Sequence, residues 1–407
     1  MRPILYCRGI LPSQPGVTMT IDPRILSLKD EVTAWRRDFH ENPELLYDVH
    51  RTARIVAEKL RAFGCDEVVE GIGKTGVVGV IHGRNGAGGK VVGLRADMDA
   101  LPIEEETNLP HRSKTPGKMH ACGHDGHTSM LLGAAKHLAA TREFDGSVVL
   151  IFQPAEEGGA GGKAMVEDGM MDRWNIAEVY GLHNMPGMKP GSISLRSGPI
   201  MAATDEFQIE IEGMGAHAAA PHLGIDPILI GSHIVCALQS IASRNADPLK
   251  SVVVSTTMFH AGTAFNIIPS RATLTGTVRT LDPAMRNMAE NRLRTVAEGT
   301  AKMFGASARV TYTRGYPATI NNEAATGHAA EIARSLFGAE MVDDDVAPMM
   351  GGEDFSFMLE ARPGAYAFIG NGDTAGLHHP AYDFNDEILP YGIQFFTGIA
   401  KARTAAV

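Results

Sequence analysis

Residues 148–157 read VVLIFQPAEE, an apolar run typical of a buried β-strand that is followed by two acidic residues. Histidines follow two further strand patterns, at His183 and His378, and Cys122 and His124 open a helix pattern. In open α/β sheets the carboxyl ends of the strands line the ligand crevice. We therefore expect four separate segments to bring Cys, His and Glu side chains, which are typical metal ligands, to one edge of a sheet.

Strand and helix patterns alternate through the first half of the chain, which indicates an α/β fold. Gly64 is a plausible end for the second helix because glycine favours the position after a helix. The patterns predict helices at 26–39, 52–63 and 128–140, and strands at 77–82, 91–94, 148–152 and 177–182.

The order of the patterns changes after Pro199 and becomes strand, helix, strand, strand, helix, strand, as in a ferredoxin-like α+β unit. A helix pattern then resumes at 328–337. We therefore predict a catalytic domain with a mixed sheet flanked by helices, formed by 1–199 and 314–407, and an inserted ferredoxin-like domain at 200–313. The predicted elements of the insert are 207–211, 228–243, 252–259, 272–278, 285–304 and 308–312.

The composition is that of an ordinary globular protein. The 407 residues are 44% hydrophobic and 21% charged, and this length allows two domains. The net charge of −10 argues against nucleic acid or an anionic membrane as a partner, because both favour a basic surface. No apolar run approaches the roughly 18 residues needed to span a bilayer.

The cysteines lack the spacing of a disulfide framework, so we predict a reduced, cytoplasmic setting. Residues 1–24 contain four prolines and no apolar core of signal-peptide length. We expect no targeting role for them, and Met19 is an alternative start. The four cysteines are Cys7, Cys65, Cys122 and Cys236.

Cys122 and His124 are candidate metal ligands. A thiolate can bridge two cations, and His124 would complete a pair of ligands on one turn. The alternative is a buried cysteine beside a structural histidine. The polar residues that follow, from Asp125 to His127, are unusual for a core and favour the metal interpretation.

Glu156 and Glu157 are adjacent carboxylates at the end of a buried strand. Such a pair repels and needs a cation or a proton nearby. One would bind a metal and the other would act as general base on a water molecule, whose pKa a metal can lower to about 7. A solvated loop that continues into Gly158 and Gly159 is the alternative.

His183 and His378 each resemble a structural histidine when taken alone, but their comparable positions after strands indicate two further ligands. Asp97 and Asp99 follow another strand pattern. One of these aspartates is expected to accept a hydrogen bond from a ligating histidine. A salt bridge to Arg95 is the alternative, and the sequence does not decide between them.

Other catalytic motifs are missing. Gly73-Lys74-Thr75 lacks the first glycine of a phosphate-binding loop, since that position is Val68. The zinc deaminase signature and the Gly-x-Ser-x-Gly motif of serine hydrolases are also absent.

Together the motifs resemble the amidohydrolase branch of the aminoacylase/carboxypeptidase metallopeptidases, which includes hippurate hydrolases and auxin-conjugate hydrolases. The resemblance covers residues 35–399. The matching motifs are at 95–102, 120–127, 153–158, 181–186, 213–222, 265–269, 276–280, 351–355 and 377–380.

The resemblance implies a site for two divalent metal ions, which are zinc, manganese, cobalt or nickel. It implies that Cys122 bridges them, that Glu157 and His378 complete one site, and that His124 and His183 complete the other. It also implies that Glu156 is the general base.

For the inserted domain, the resemblance implies a lid and a dimerisation surface. His217 would reach the active site of a neighbouring subunit and help hold the oxyanion. Asn266 and Arg279 would fix the tetrahedral intermediate and the free carboxylate of the substrate, since the planar guanidinium binds both carboxylate oxygens. A surface charge on the sheet is the alternative for Arg279. The expected assembly is a homodimer or tetramer.

The implied reaction is hydrolysis of an N-acyl amino acid, hippurate-like or N-acetylated, to a carboxylic acid and a free amino acid. A dipeptidase or carboxypeptidase with the same two-metal chemistry is the alternative. A metal-binding or ligand-binding protein without turnover is a third hypothesis. Glu156 argues against it, because binding alone needs no additional carboxylate.

Overall fold

The computed structural model describes residues 21–86 and 88–405. Cys7, Met19 and the predictions made for residues 1–20 lie outside the described residues.

The strands form two main sheets and two short pairs. In chain order they are β1 (Glu67–Ile72), β2 (Gly76–His82), β3 (Val91–Asp97), β4 (Ser147–Gln153), β5 (Glu178–Pro186), β6 (Ile193–Ser194), β7 (Gly198–Met201), β8 (Ala203–Glu212), β9 (Ala216–His217), β10 (Val252–Ala261), β11 (Ile267–Ile268), β12 (Arg271–Thr280), β13 (Ser307–Arg314), β14 (Thr319–Asn321), β15 (Val342–Asp343) and β16 (Gly364–Gly372).

The helices flank these sheets. They are α1 (Pro23–Leu26), α2 (Lys29–Glu41), α3 (His50–Phe63), α4 (His124–Thr141), α5 (Gly161–Glu167), α6 (Met170–Arg173), α7 (Pro227–Ser240), α8 (Pro283–Met303), α9 (Glu323–Phe337), α10 (Ser356–Ala361) and α11 (Leu389–Arg403). In the part of the chain that is described, no helix combines the length and apolar character needed to cross a bilayer.

The larger sheet has the strand order β1-β2-β4-β3-β5-β16-β6-β15. Strands β4, β3, β5 and β16 are parallel neighbours, whereas β1 and β2 run antiparallel at one side. The predicted mixed sheet is therefore confirmed. Because the four central strands are parallel, their carboxyl ends meet at one edge of the sheet.

Both faces of the larger sheet are buried, which explains the continuous apolar run in β4. Val148, Leu150 and Phe152 belong to one hydrophobic cluster, which includes residues of α2, α3, α4, α9 and α11. Val149 and Ile151 point to the opposite face and join a second cluster with residues of α5, α6 and α10. A strand that is covered on both faces is stabilised by apolar side chains at every position.

The smaller sheet consists of antiparallel strands in the order β10-β12-β8-β13. Helices α7 and α8 cover one face and share a separate hydrophobic cluster with it. Strand β12 alternates buried and partly exposed residues, as expected for a sheet with one covered face. The chain order is β8-α7-β10-β12-α8-β13, and the assignment of 200–313 as an independent domain stays a prediction.

Several predicted boundaries differ from the structure. The helix predicted at 26–39 is divided into α1 and α2, because Asp22 caps a short first helix that begins with Pro23. Helix α4 begins at His124 rather than at 128. Strand β5 continues past its predicted end to Pro186, because it pairs with β16 over this length. The predicted stop at Gly64 is confirmed, with a left-handed φ of 83°.

Candidate metal centre

The carboxyl edge of the larger sheet carries the polar residues that the sequence singled out. Strand β3 ends at Asp97, β4 ends shortly before Glu156, and β5 contains His183. His378 follows β16, and Cys122 immediately precedes the start of α4. The parallel arrangement of these strands explains why residues so far apart in sequence lie together.

Cys122, His124 and His183 form one group of possible ligands. Their ligand atoms all lie within 4.8 Å of one another, and Cys122 Sγ is 3.4 Å from His183 Nε2. Gly123 makes this geometry possible because it adopts a left-handed φ of 88°. A Cβ atom there would lie 2.1 Å from Asn184 Nδ2 and 2.6 Å from the Tyr382 hydroxyl, so a larger residue would clash.

Cys122 also belongs to a second group, with Glu157 and His378, under the same 4.8 Å limit. His378 Nε2 lies 3.3 Å from Glu157 Oε1. The backbone of His378 is fixed by a hydrogen bond from its N–H to the Ala121 carbonyl. One sulfur atom is therefore common to two candidate ligand groups.

Two histidine rings are oriented with a nitrogen free to bind a cation. His124 Nδ1 lies 2.8 Å from the Asp99 carbonyl oxygen, and His183 Nδ1 lies 2.6 Å from the Asn184 carbonyl oxygen. A carbonyl can only accept, so each Nδ1 carries a proton, and each Nε2 offers a lone pair to a cation once the ring is neutral. Metal-binding histidines are usually oriented in this way.

Unpaired polar atoms also fit a metal site. His124 Nε2 and Glu157 Oε1 are buried and have no hydrogen-bond partner among the described residues. Burying polar groups without partners is costly, and a cation bound to both would remove that cost. The residues present therefore fit divalent metal ions.

The protonation of Cys122 supports the same conclusion. Burial raises the pKa of its thiol well above the usual value, and the nearby Glu157 and Glu156 carboxylates raise it further. A thiolate would therefore form here only with a compensating positive charge, which a metal ion supplies. Burial also raises the pKa of Glu157, but the neighbouring His378 ring and the charge of His124 outweigh it and lower the pKa overall.

Asp97 forms the predicted salt bridge to Arg95, and its histidine partner is His127, which is not one of the predicted ligands. It accepts a hydrogen bond from Arg95 at 2.8 Å, and its other carboxylate oxygen lies 2.6 Å from His127 Nδ1. His127 in turn accepts a hydrogen bond from the backbone N–H of Asn184, next to His183. Asp97 also lies 3.7 Å from His124 Nε2. The sequence assigned no role to His127, which is buried beside the candidate ligands.

Asp99 fixes the loop that carries the two glutamates. Its carboxylate oxygens accept hydrogen bonds from the backbone N–H groups of Glu156, at 2.9 Å, and Glu157, at 3.1 Å. Its carbonyl oxygen is the partner of His124 Nδ1. One aspartate thus connects a candidate ligand on α4 with the loop after β4.

Glu156 is a buried carboxylate that lines the cavity beside these groups. Burial raises its pKa well above the usual value, and the Glu353 and Glu157 carboxylates add to the effect. A raised pKa makes a carboxylate a better proton acceptor, which suits a general base. Tyr316 holds this loop by donating a hydrogen bond of 2.6 Å to the Glu156 carbonyl oxygen.

A buried charge network behind Glu156 was missed in the sequence. Arg95 donates hydrogen bonds to Glu353 at 2.9 Å and to Asp354 at 3.1 Å, in addition to Asp97. Glu353 also accepts a hydrogen bond from the Tyr366 hydroxyl. The only signal in the sequence was the motif at 351–355, to which no role was given.

The cavity extends from the larger sheet to the smaller one and has a volume of about 720 Å³. Arg279, on β12, lines it and is half-buried. No carboxylate of the described residues lies within the 4.0 Å of its guanidinium that would define an ion pair. Burial lowers the pKa of Arg279, whereas Asp205 and Glu206 oppose this effect.

His217 and Asn266 do not line this cavity. The backbones of their segments pair as β9 and β11, and the Ala218 N–H donates to the Asn266 carbonyl oxygen. Both residues are exposed. Within one chain, the structure therefore brings together the candidate ligands, Glu156 and Arg279, but not these two residues.

Comparisons with known proteins agree with this architecture. The family model of peptidase family M20/M25/M40 matches residues 93–402. The chain is 45% identical over 382 residues to hippurate hydrolase of Campylobacter jejuni, covering 94% of this chain and 99% of that protein. It is 40% identical over 409 residues to N-acetyl-L-cysteine deacetylase of Bacillus subtilis, covering 97% and 96%. A Bacillus subtilis crystal structure, described as a dinuclear metal-binding peptidase of the M20 family, superposes with a TM-score of 0.82 at 35% identity, covering 94% and 100% of the two chains.

Proposed function

This chain belongs to peptidase family M20/M25/M40, and from that premise we propose that it hydrolyses the amide bond of N-acyl amino acids. The products are a carboxylic acid and a free amino acid. Relatives named hippurate hydrolase and N-acetyl-L-cysteine deacetylase, which match nearly the whole chain, support this substrate class.

The main support is the position of Glu156 beside two candidate ligand groups that share Cys122. A protein that only binds metal or ligand has no need for this further buried carboxylate. Glu156 also lies near His124 and Glu157 and near Glu353 and Asp354, but it is not in either group that contains Cys122. With Glu157 in one of those two groups, Glu156 remains available for proton transfer.

We propose that the two groups hold two divalent metal ions, with Cys122 shared, Glu157 and His378 on one ion, and His124 and His183 on the other. Sulfur, imidazole and carboxylate ligands together suit zinc, manganese, cobalt or nickel. When bound, such ions acidify water and polarise a carbonyl group.

The residues of the chain account for the proton transfers. Glu156 accepts a proton from the attacking water, and the oxygen adds to the amide carbonyl carbon. Glu156 then donates that proton to the leaving nitrogen as the carbon–nitrogen bond breaks. Asp97 and Asp99 hold the ligand histidines and the glutamate loop in place during these steps, through the hydrogen bonds of His127, His124 and the loop backbone.

Arg279 is proposed to bind the free carboxylate of the substrate. Its guanidinium faces the cavity without a carboxylate partner from the described chain, and its planar geometry suits both oxygens of a carboxylate. His217 and Asn266 would hold the oxyanion and the tetrahedral intermediate. Since both lie outside the cavity of their own chain, we propose that a second copy supplies at least His217.

We propose that 200–313 acts as a lid and a dimerisation domain. Strand β10 lies at the edge of the smaller sheet and exposes Met258 and Phe259. Helix α7 exposes Ile228 and Leu229. An open strand edge beside exposed apolar side chains favours pairing with a second copy, in a dimer or a tetramer of such dimers.

A cytoplasmic location is also proposed. Cys65, Cys122 and Cys236 are free thiols, as expected of a protein in a reducing compartment.

The function is tested with Glu156→Gln, which keeps the shape of the side chain but cannot accept the proton. We expect hydrolysis of benzoylglycine to fall on the order of 10²–10⁴-fold, the usual contribution of a general base. Metal content, measured by elemental analysis, should remain unchanged. Glu298→Gln, an exposed change on α8, is the control and should keep full activity.

Hydrolysis that survives in Glu156→Gln would show that another group is the base. A panel of acylated amino acids and dipeptides, assayed with each of the four metal ions restored, tests the substrate class. Faster turnover of dipeptides would replace the present proposal with a peptidase.

A further inference from the structure

We propose, on the basis of the N-acyl amino acid hydrolysis above, that a wall of methionines binds the acyl group and makes the enzyme prefer large apolar acyl groups over acetyl. The methionine wall is the part of the cavity lining formed by Met185, Met201, Met349 and Met350. It is distinct from the metal-ligand residues and from the polar lining of the smaller sheet around Arg279.

Met185 places one side of the wall at the metal-ligand end of the cavity, and the paired Met201 and Met349 continue it toward Thr204, the strand partner of Arg279. Met185 lies two residues after His183 on β5. Phe368, which also lines the cavity, is directly opposite His183 in the pairing of β5 with β16. Met185 therefore comes from β5, which carries His183, and Phe368 from the neighbouring strand β16, whereas Arg279 comes from β12 of the smaller sheet.

The connectivity of the substrate then decides which group meets the wall. In an N-acyl amino acid the carboxylate is attached on the nitrogen side of the amide bond. With that carboxylate at Arg279 and the amide carbon near Glu156, the group remaining on the carbonyl side is the acyl chain. The apolar lining left for it is the methionine wall.

Part of the wall has a fixed backbone but flexible side chains. The Met349 N–H donates to the Ile200 carbonyl oxygen at 2.9 Å, and the Ala202 N–H donates to the Gly351 carbonyl oxygen at 2.8 Å. Met201 and Met349 are thus held side by side. Unbranched thioether chains adapt to ligands of different shape, so this wall suits aromatic as well as straight-chain acyl groups.

The size of the cavity favours a large group. A volume of about 720 Å³ lies within the range of sites for drug-sized ligands, whereas an acetyl group presents a single methyl to the wall. Each methylene buried against the wall should improve kcat/KM about fourfold, the ratio that corresponds to the usual transfer free energy.

The test compares N-acetyl-, N-butanoyl-, N-hexanoyl- and N-benzoylglycine, because glycine has no side chain and only the acyl group varies. We expect kcat/KM to rise along the series. Met349→Ala should lower the hexanoyl-to-acetyl ratio by about tenfold, since a lost hydrophobic contact changes discrimination by this order. Met349 is 37% exposed, so this change should not prevent folding, and Met201→Leu provides a second, volume-conserving variant.

Met303→Ala, at the exposed end of α8, is the control and should leave the ratio unchanged. Equal or better turnover of acetylglycine would overturn this inference while leaving the proposed function intact. The inference would also be overturned if Met349→Ala left the preference among acyl groups on glycine unchanged but altered the preference among amino acids that carry the same benzoyl group. Met349 would then contact the amino acid side of the substrate. Failure to hydrolyse any substrate of the series would instead contradict the proposed function.

Discussion

The two ends of the cavity are built in different ways. At the metal end, His124, His183 and Cys122 are buried, and the two histidine rings are fixed by hydrogen bonds to backbone carbonyls. At the other end, Arg279 has no ion-pair partner in the described chain, and His217 is exposed outside the cavity. All candidate ligands of the first end come from one chain. In our proposal, the second end is completed only when a substrate carboxylate binds Arg279 and another subunit supplies His217.

This difference follows from what each end must do. Metal ligands have to be positioned before the ion binds, so their neighbours hold them rigidly. Groups that contact the substrate must leave room for its entry, and they complete the site only on closure or assembly. The following predictions test this division.

The largest effect is expected at the metal end. Cys122→Ala removes the atom common to both ligand groups and should reduce the metal content below two ions per chain. Hydrolysis should fall by about a thousandfold or more, since metal activation is worth several kcal/mol. Cys65→Ala, a half-buried thiol, is the control. Full metal content in Cys122→Ala would contradict a shared sulfur ligand.

A smaller effect, with a more specific readout, concerns His217. His217→Ala should lower hydrolysis by about 10²–10³-fold, the usual cost of removing an oxyanion donor, but should keep its metals. When it is mixed with Glu156→Gln under conditions that exchange subunits, activity should return. Equal mixing of two-fold dimers gives about one quarter of intact sites, because half the dimers are mixed and each has one complete site. If activity does not return although mixed dimers are detected, His217 does not act on a neighbouring subunit.

The smallest effect is expected for Arg279→Lys. Lysine keeps the charge but loses the two-pronged contact with a carboxylate. We expect kcat/KM for an N-acyl amino acid to fall about 10- to 100-fold, and much less for the corresponding amide without the carboxylate. Arg271→Lys, at the start of the same strand and paired with Glu212, is the matched control. Equal losses on both substrates would rule out carboxylate recognition by Arg279.

The family and the mixed sheet were predictable from the sequence, and both are confirmed. The candidate ligands were recognisable because polar residues at the end of an apolar strand are conspicuous. Glu157 and His378 stand out in this way, and Cys122 stands out at the opening of a helix pattern, although the three come from separate segments. Their roles as ligands stay predictions.

The residues that hold the candidate ligands in place could not be predicted from the sequence. Arg95 contacts Glu353 across 258 positions of sequence, and the motif around Glu353 has no spacing that identifies a partner. His127 was hidden by its nearness to His124, since only the three-dimensional structure separates a ring that is hydrogen-bonded to Asp97 from one that lies beside Cys122 and His183. The strand boundary at Leu182 was also missed, because the length of β5 depends on its pairing with β16.

Gly123 shows that the candidate metal centre depends on a residue that supplies no ligand atom. The residue is in none of the candidate ligand groups and does not line the cavity, yet any side chain there would displace Asn184 and Tyr382. Asn184 in turn contacts the Cys122 carbonyl oxygen and His127. A harmful replacement at this position would therefore leave every proposed ligand atom present, and a comparison of the proposed ligand residues alone would classify the damaged enzyme as intact.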